Sequence, residues 1–235
     1  MKVEFLRNGH TVTFRVYNFD ESIEEALKLC FYEKVDDSYI KRFPASTPHL
    51  DKIMSHYEKY AEEMFLQVVY RRPVPWEKGL LEFMSRVRDD DIDWWLTGSC
   101  AACIRGIHMN PHDIDIMIDS RNVGLLIDLF QNDIIEPIVD TSGWVTKDFG
   151  VLFMHCRIDI ASDPASFVDE PDPVDFGPYA KSKLETVHWN GYAVRIPPLE
   201  LQLNVNKRRQ RIERAKLIEE YLDARGRRTE IPDAR

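Results

Sequence analysis

Apolar residues recur about every 3.6 positions between Thr47 and Phe65, and this pattern predicts a long amphipathic helix. Thr47 is the expected N-cap, and Pro48 suits the first helical position because no backbone donor is required there. The repeating apolar positions are Leu50, Ile53, Met54, Tyr57, Tyr60, Ala61, Met64 and Phe65. Shorter patterns predict helices from Asp20 to about Phe31 and from Trp76 to about Val87.

Short apolar runs in the central part of the chain predict strands. These runs are Trp94–Thr97, Asp113–Asp119, Val151–Met154 and Arg157–Ile160. A short helix to about Gly106 and another over Val123–Phe130 alternate with them. Alternation of strands and helices favours an α/β (α+β) fold.

Two Asn-Gly pairs predict β-hairpins, since these residues readily adopt the positive φ angles of tight turns. Asn8-Gly9 is the first pair, and Asn190-Gly191 is the second. After the second hairpin, Pro197-Pro198 precedes a region from Leu199 to about Leu222 that is expected to form one or two helices. Residues 162–178 are rich in Asp, Glu and Pro and are expected to form a loop.

A proline-rich break divides the chain into two predicted parts. The sequence Arg71-Arg72-Pro73-Val74-Pro75 ends the long helix, because proline lacks the backbone donor that a helix interior requires. We therefore expect residues 1–75 to form an N-terminal extension of a hairpin and helices, with no assigned role. Residues 76–235 are expected to form a second domain that ends in helices.

The composition is typical of a globular protein in a reducing compartment. The 235 residues are 44% hydrophobic and 30% charged, and no apolar run approaches the roughly 20 residues that cross a bilayer. The first residues lack the apolar segment of a signal peptide, so a cytoplasmic location is expected. Four cysteines in this setting are expected to be free thiols.

The formal net charge of −9 argues against extended binding to nucleic acid, whose affinity depends on basic residues. From Lys207 to Arg235 there are ten Lys/Arg and six Asp/Glu, so the first 206 residues carry −13. An acidic body favours divalent cations and cationic small molecules as ligands. The basic run Lys207–Arg211 is compatible with a solvated helix face, with one phosphate contact, or with nucleic acid.

Three acidic residues on predicted strands indicate metal chemistry. Asp113 and Asp115 are one residue apart, so their carboxylates project from the same face of a strand while the intervening positions face the core. Asp159 lies between two isoleucines on another strand, where an unpaired charge would be costly. If the three carboxylates converge, they can share hard divalent cations such as Mg²⁺.

The pair Gly98-Ser99 precedes the paired acids with thirteen residues between them. Gly98 allows the backbone to turn sharply from a strand into a helix, and Ser99 then lies where free backbone amides face outward. Such a helix start attracts anions and suits a triphosphate.

This combination resembles the DNA polymerase beta-type nucleotidyltransferase superfamily, and in particular its small bacterial members that adenylylate antibiotics. The resemblance covers about Trp94 to Asp159 and extends weakly into the C-terminal helices. It implies a nucleotidyltransferase core, which is a small mixed sheet flanked by helices. It further implies that Asp113 and Asp115 bind two Mg²⁺ ions, while Asp159 binds one of them and activates the acceptor hydroxyl.

The resemblance also implies nucleotide contacts. Gly98 and Ser99 are expected near the triphosphate, and Arg105 and His112 lie where such enzymes carry basic residues. Lys207 stands where they often place a phosphate-contacting lysine. The implied reaction transfers a nucleoside monophosphate, AMP from ATP or the equivalent from another nucleoside triphosphate, to a hydroxyl acceptor such as a cationic small molecule or an antibiotic. Pyrophosphate leaves.

Other functions explain parts of the pattern. A non-catalytic module of the same fold, such as an antitoxin, would not need clustered acids. A nucleic-acid end-modifying transferase is disfavoured by the net charge. Cys100 and Cys103 resemble a redox dithiol or, with His108 and His112, a zinc site. The spacing is too short for a zinc finger, and small residues in a short helix also serve close packing.

Overall fold

A computed structural model describes residues 1–88 and 90–229 of the chain. Within these residues, eight α-helices surround three sheets of four, two and five strands. The predicted α/β class with a mixed sheet flanked by helices is confirmed.

The N-terminal sheet is antiparallel and has the strand order β1-β2-β4-β3. Its strands are β1 (Lys2–Asn8), β2 (Thr11–Tyr17), β3 (Glu33–Val35) and β4 (Ser38–Pro44). The predicted first hairpin is present, but its two loop residues are Gly9 and His10, and only Gly9 has a positive φ of 55°. Strands β3 and β4 were not predicted from the sequence.

Two helices pack beside this sheet, α1 (Glu21–Leu29) and α2 (Leu50–Val68). Asp20 caps α1 as expected, since its carboxylate accepts a hydrogen bond from the Ile23 N–H at 3.0 Å. The predicted start of α2 was wrong. The N-cap is His49, in a left-handed conformation, and the Thr47 hydroxyl instead donates to the Pro44 carbonyl oxygen at 2.7 Å.

The central sheet has the strand order β5-β6-β9-β8-β7. Only the β6–β9 pairing is parallel, so the sheet is mixed. Its strands are β5 (Trp94–Thr97), β6 (Ile114–Ile118), β7 (Ile134–Asp140), β8 (Asp148–Met154) and β9 (Cys156–Ser162). Helices α3 (Trp76–Arg86), α4 (Gly98–Ile104) and α5 (Val123–Leu129) pack against it.

The C-terminal part adds a short helix, a hairpin and two further helices. These are α6 (Pro178–Lys181), β10 (Glu185–Trp189), β11 (Tyr192–Ile196), α7 (Leu199–Arg208) and α8 (Ile212–Thr229). The predicted Asn190-Gly191 turn is confirmed, with positive φ at both residues. Strand β11 contacts β5, and α7 contacts α4, so this part closes one side of the central sheet.

One large apolar cluster joins the two predicted parts of the chain. It contains residues of the N-terminal sheet and α2, such as Phe14 and Tyr57, together with residues of the central sheet, such as Ile116 and Ile160. The boundary between 75 and 76 stays a prediction. No helix within 1–88 or 90–229 combines the length and apolarity that a bilayer span requires.

Candidate active site

Asp115 and Asp159 lie side by side on the central sheet. They are register partners in the parallel pairing of β6 with β9, so their carboxylates point from the same face. The alternate residues Ile114, Ile116 and Ile158 point to the other face and are buried in the core. The strict two-residue period of the strand therefore separates the acids from the apolar core.

Asp113 precedes β6 directly and completes a group of three acids. One carboxylate oxygen from each of Asp113, Asp115 and Asp159 lies within 4.8 Å of the others. The side chains are only partly accessible, with 17% of Asp113 and 18% of Asp159 exposed. The convergence that the sequence pattern required is therefore present.

The proximity of the three acids shifts their pKa values in different directions. Burial and the negative charges of Asp113, Asp159 and Asp175 raise the pKa of Asp115 well above its usual range. Burial also raises the pKa of Asp159 to about 6, against the opposing charge of Arg157. Burial acts on Asp113 in the same sense, but the hydrogen bond and charge of His112 lower its pKa.

Arg157 is a buried cation directly beside the acids. Its Nε lies 2.6 Å from Asp159 Oδ1, and 5% of its side chain is exposed. Its Nη1 donates to Cys30 Sγ at 3.3 Å. Asp159 Oδ1 is nevertheless buried without a partner in hydrogen-bond geometry. Arg157 thus contributes positive charge to the site and pairs with Asp159.

Gly98 begins α4 at the end of β5, with a φ of +65°. A Cβ at this position would overlap Asp115 Oδ2. The Gly98 N–H donates to Asp175 Oδ2 at 3.2 Å, and its carbonyl oxygen accepts from Gln202 Nε2 at 2.8 Å. Gly98 is therefore required both by the turn and by the close approach of the acid. Ser99 follows Gly98 and is buried, with 7% of the residue exposed.

His112 connects the acids to α2. Its Nε2 lies 3.2 Å from Asp113 Oδ2, and its Nδ1 lies 3.2 Å from the Tyr70 hydroxyl. That hydroxyl donates to the Asn110 carbonyl oxygen at 2.8 Å. The two ring nitrogens of His112 therefore hold the imidazole between Tyr70 and Asp113.

The three acids open into a cavity of about 1180 Å³. Gly98, Ser99 and His112 also line this cavity. Three arginines from the C-terminal part of the chain line it as well, Arg209, Arg211 and Arg214. Burial and the charges of Arg209 and Arg214 lower the pKa of Arg211. Three cations held this close together favour binding of an anion.

Two predicted nucleotide contacts lie outside this cavity. Arg105 Nη2 donates to Glu185 Oε2 at 2.6 Å and to the Pro197 carbonyl oxygen at 2.9 Å, so it ties α4 to the C-terminal hairpin. Lys207 Nζ pairs with Glu219 Oε1 at 2.7 Å on the exposed side of α7 and α8. The structure does not bring either residue together with the acids.

Sequence reasoning missed several residues of the cavity. Arg157 stands two positions before Asp159, the spacing that made Asp113 and Asp115 conspicuous, so a same-face argument could have found it. Arg209 and Arg211 belong to the basic run Lys207–Arg211, for which one phosphate contact was an expectation, whereas Arg214, one helical turn beyond Arg211, was not singled out. Asp175, a buried acid in a loop, carried no such pattern.

The cysteines do not form a redox or zinc site. All four are free, and the Cys100 thiol donates to the Asp113 carbonyl oxygen at 3.3 Å inside the protein. Burial raises the pKa of the Cys100 thiol well above its usual value. Within the described residues, the three acids are the group whose geometry fits a metal ion.

The acids also fit a hard divalent cation chemically. Carboxylate oxygens are the ligands that Mg²⁺ prefers, and crowded carboxylates repel one another unless a cation lies between them. The convergence of the three carboxylates and the raised pKa values of Asp115 and Asp159 are the expected signs of such a site.

A known protein family matches the part of the chain that carries the acids. The family model described as aminoglycoside-2''-adenylyltransferase matches residues 79–161. This stretch begins in α3 and ends in β9, so it includes Gly98, Ser99 and all three acids. A comparison with curated proteins gave no significant match.

Three solved structures resemble the chain weakly. A Thermotoga maritima protein described as a candidate nucleotidyltransferase is 21% identical, with a TM-score of 0.47 over 63% of this chain and 93% of its own. The lincosamide antibiotic adenylyltransferase LnuA, with bound lincomycin, is 14% identical, with a TM-score of 0.42 over 55% of this chain and 84% of its own. ANT(2'')-Ia, in complex with adenylyl-2''-tobramycin, is 13% identical, with a TM-score of 0.44 over 64% and 91%.

The family match concerns the same residues that carried the resemblance in the sequence. It confirms that this chain is similar to the nucleotidyltransferases, and among them to those that adenylylate antibiotics.

Proposed function

We propose that this protein is a metal-dependent nucleotidyltransferase that transfers AMP from ATP to a hydroxyl group of a small-molecule acceptor. The observation that carries the proposal is the convergence of Asp113, Asp115 and Asp159, whose carboxylate oxygens lie within 4.8 Å of one another. They share one cavity with Arg209, Arg211 and Arg214. Clustered acids beside clustered cations suit a divalent cation bound to a triphosphate.

The arginines support binding of the triphosphate. Burial and the like charges of Arg209 and Arg214 lower the pKa of Arg211, and phosphate oxygens would relieve the repulsion among the three cations. Arginine also binds phosphate through two parallel hydrogen bonds, which fixes its orientation. In this proposal, Arg209, Arg211 and Arg214 take the role first expected of Arg105 and Lys207. Gly98 and Ser99 line the same cavity, and their backbone would lie beside the phosphates.

The acids would hold the cations and prepare the acceptor. Asp113, Asp115 and Asp159 would be the ligands, and bound Mg²⁺ would supply charge stabilisation to the transferring phosphoryl group and to leaving pyrophosphate. Asp159 takes the acceptor proton as the general base. His112 holds Asp113 in place through its 3.2 Å contact. The in-line attack of the hydroxyl on the α-phosphate then needs mainly positioning.

The family match supports an antibiotic acceptor. The matching family is named for adenylyl transfer to the 2'' position of aminoglycosides. Aminoglycosides are therefore the first members of an acceptor panel.

The proposal is tested by labelled ATP with a panel of hydroxyl acceptors, in the wild type and in Asp113→Asn and Asp159→Asn. We expect label transfer in the wild type and a loss of at least about a thousandfold in each variant, because each removes charge that balances the transition state. Circular dichroism checks that the variants fold. Unchanged turnover in both variants would contradict the proposal.

Binding separates the enzyme from a non-catalytic module of the same fold. Calorimetry of ATP with and without Mg²⁺ should give metal-dependent binding that Arg211→Ala and Arg214→Ala weaken. Lys207→Ala, which lies outside the cavity, is the matched control and should bind ATP as the wild type does. Absence of ATP binding under both conditions would favour the module.

A further inference from the structure

The cavity has a second end that is apolar and aromatic. Phe31, Trp144 and Phe149 line it, on the side of the cavity that adjoins Arg157 and Asp159. The ring centroids of Phe31 and Trp144 are 5.9 Å apart, and those of Trp144 and Phe149 are 5.8 Å apart, both in edge-to-face geometry. The arginines that would bind phosphate lie elsewhere in the lining, with Arg211 and Arg214 close to Tyr70.

The sheet register places this apolar end next to the acids. Met117, Ala161 and Phe149 are register partners across β6, β9 and β8. They stand two positions from Asp115, Asp159 and Val151 on the same strands, so both rows face the cavity. The floor of the cavity therefore changes from carboxylate to apolar within one step along the strands.

Phe31 occupies a position where glycine is usual. It follows α1, and its N–H bonds to the Lys28 carbonyl oxygen while the Tyr32 N–H bonds to that of Leu27, which is the Schellman pattern of a helix C-terminus. The φ of Phe31 is +62°, in the left-handed region that a bulky residue rarely adopts. Its side chain is still 68% exposed. Packing in the core therefore does not account for an aromatic residue here.

Trp144 is the second exposed ring, at 47% exposure, and it follows a turn with positive φ at Ser142 and Gly143. The two rings stand on separate loops and meet only at the mouth of the cavity. Phe31 lies close to the acids through its neighbour Cys30. The Cys30 sulfur accepts a hydrogen bond from Arg157, and Arg157 pairs with Asp159.

Helix α1 contributes one charge of each sign to this end, Glu25 and Lys28, and Lys28 Nζ pairs with Glu24 Oε1 at 3.1 Å. The carboxylates deeper in the cavity belong to the proposed cation site. A polycation would find little negative charge with which to pair here, whereas an apolar ring would find three aromatic side chains.

We infer that Phe31, Trp144 and Phe149 form the acceptor subsite, and that the acceptor is a hydroxyl compound with an apolar or aromatic face rather than a polycation. This rests on the proposed function, because it assigns the part of the cavity that the arginines line to the triphosphate. The ring faces hold the acceptor while its hydroxyl lies toward Asp159. The subsite names a substrate class that the family name alone would not indicate.

The test uses calorimetric titration of the full chain, with Mg²⁺ and a non-hydrolysable ATP analogue present, against two probes. One probe is para-nitrophenyl glucoside, a neutral hydroxyl compound with an aromatic face, and the other is kanamycin, a polycation. The variants are Trp144→Ala and Phe31→Gly. Phe167→Ala removes a ring that is 59% exposed and lies outside the cavity, and it is the control.

We expect the glucoside to bind the wild type and the control alike, and both cavity variants about tenfold or more weakly, since each loses an aromatic contact. Phe31→Gly relieves the strained φ and should not lower thermal stability. Weaker glucoside binding in this variant would therefore be caused by loss of the ring itself. Binding of kanamycin but not the glucoside, or absence of glucoside binding, would overturn the inference.

The nucleotide is measured separately in the same proteins. Unchanged affinity for the ATP analogue in Trp144→Ala and Phe31→Gly is expected. If these variants weaken the analogue instead, the rings hold the nucleotide base and the acceptor assignment is wrong. If the analogue fails to bind even the wild type, the proposed function fails, and that result is distinct from failure of glucoside binding.

Discussion

Gly98 is the residue whose replacement tests the geometry of the site most directly. A Cβ there would overlap Asp115 Oδ2, and the φ of +65° is unfavourable for any other residue. We predict that Gly98→Ala lowers turnover at least about a hundredfold, because displacing a reacting group by even an ångström has such effects. Steady-state kinetics with the best acceptor of the panel measures this.

The control for that substitution is Gly106→Ala. Gly106 also has a positive φ, of 96°, but nothing lies within 4 Å of a Cβ built on it. This variant should lose only about 1–2 kcal/mol of stability from backbone strain and keep its turnover per folded molecule. Equal losses of turnover in the two variants would mean that strain, and not the collision with Asp115, is responsible.

Asp115 is expected to destabilise the metal-free protein. Its folded-state pKa is raised by burial and by Asp113, Asp159 and Asp175, so ionisation at neutral pH opposes folding. We predict that Asp115→Asn raises the free energy of unfolding without metal, because it removes a buried charge that repels its neighbours. Turnover should fall at the same time.

Thermal unfolding with and without Mg²⁺ checks this prediction. Mg²⁺ should raise the melting temperature of the wild type, because it binds only the folded state, and should have little effect on Asp115→Asn. Asp119→Asn, at the end of the same strand, should instead lower the melting temperature, because Asp119 pairs with Arg121 and Lys181. A wild type more stable than Asp115→Asn in chelator would contradict the prediction.

The sequence was sufficient for the acids, but for the arginines it indicated only that one member of the run Lys207–Arg211 could contact phosphate. Asp113, Asp115 and Asp159 could be predicted because a strand puts alternate residues on one face, so local spacing decides their direction. Arg211 and Arg214 line the cavity because the turn between α7 and α8 brings the start of α8 beside it. That placement depends on tertiary structure and not on local spacing. Arg105 had the expected place in the sequence, but its partners in the hairpin, Glu185 and Pro197, lie far along the chain.

At the scale of elements, Glu24 connects α1 to the N-terminal sheet. Hydrogen bonds from Lys34 and Tyr39, and the ion pair with Lys28, lower the pKa of Glu24 from 4.5 to about 2. A carboxylate with a lowered folded-state pKa stabilises the protein above its unfolded value, and that stabilisation is lost as the pH falls through the folded value.

We therefore predict that Glu24→Gln is less stable than the wild type at pH 7. The difference should shrink as the pH falls from 4.5 to about 2, where the wild-type carboxylate also becomes neutral. Urea unfolding at several pH values measures the difference. A difference that does not change over this range would show that packing of the side chain, and not its charge, is responsible.

Elements with a strong local signal were predicted, and those that depend on neighbours were not. The hairpin at Asn190-Gly191 and strand β5 have clear turn or apolar patterns. Strand β4 reads Ser-Tyr-Ile-Lys-Arg-Phe-Pro, and β7 contains Pro137 and a buried Glu136. Charged residues and proline inside a strand are tolerated only where a partner satisfies them, and here Lys41 in β4 pairs with Glu136 in β7 at 2.6 Å.

At the scale of the whole molecule, the N-terminal and central parts share their interior. Glu136 is 1% exposed and accepts hydrogen bonds from Tyr32 and Lys41, and one apolar cluster includes both parts. We predict that the full chain unfolds in a single calorimetric transition, with calorimetric and van't Hoff enthalpies in agreement.

Glu136→Gln extends this test. It removes the charge that Lys41 balances, so it should lower the melting temperature while leaving one transition. Two separate transitions in either protein would instead support residues 1–75 and 76–235 as independent domains.

The parallel pairing of β6 with β9 also limits how the length of this chain can change in evolution or design. A one-residue insertion or deletion inside either strand turns every later side chain to the opposite face. An isoleucine would then enter the cavity and an aspartate the core, so the site and the interior would fail together. Length variation is therefore expected in surface turns such as Asn190-Gly191, and a library of single-residue deletions should be depleted across Ile114–Ile118 and Cys156–Ser162.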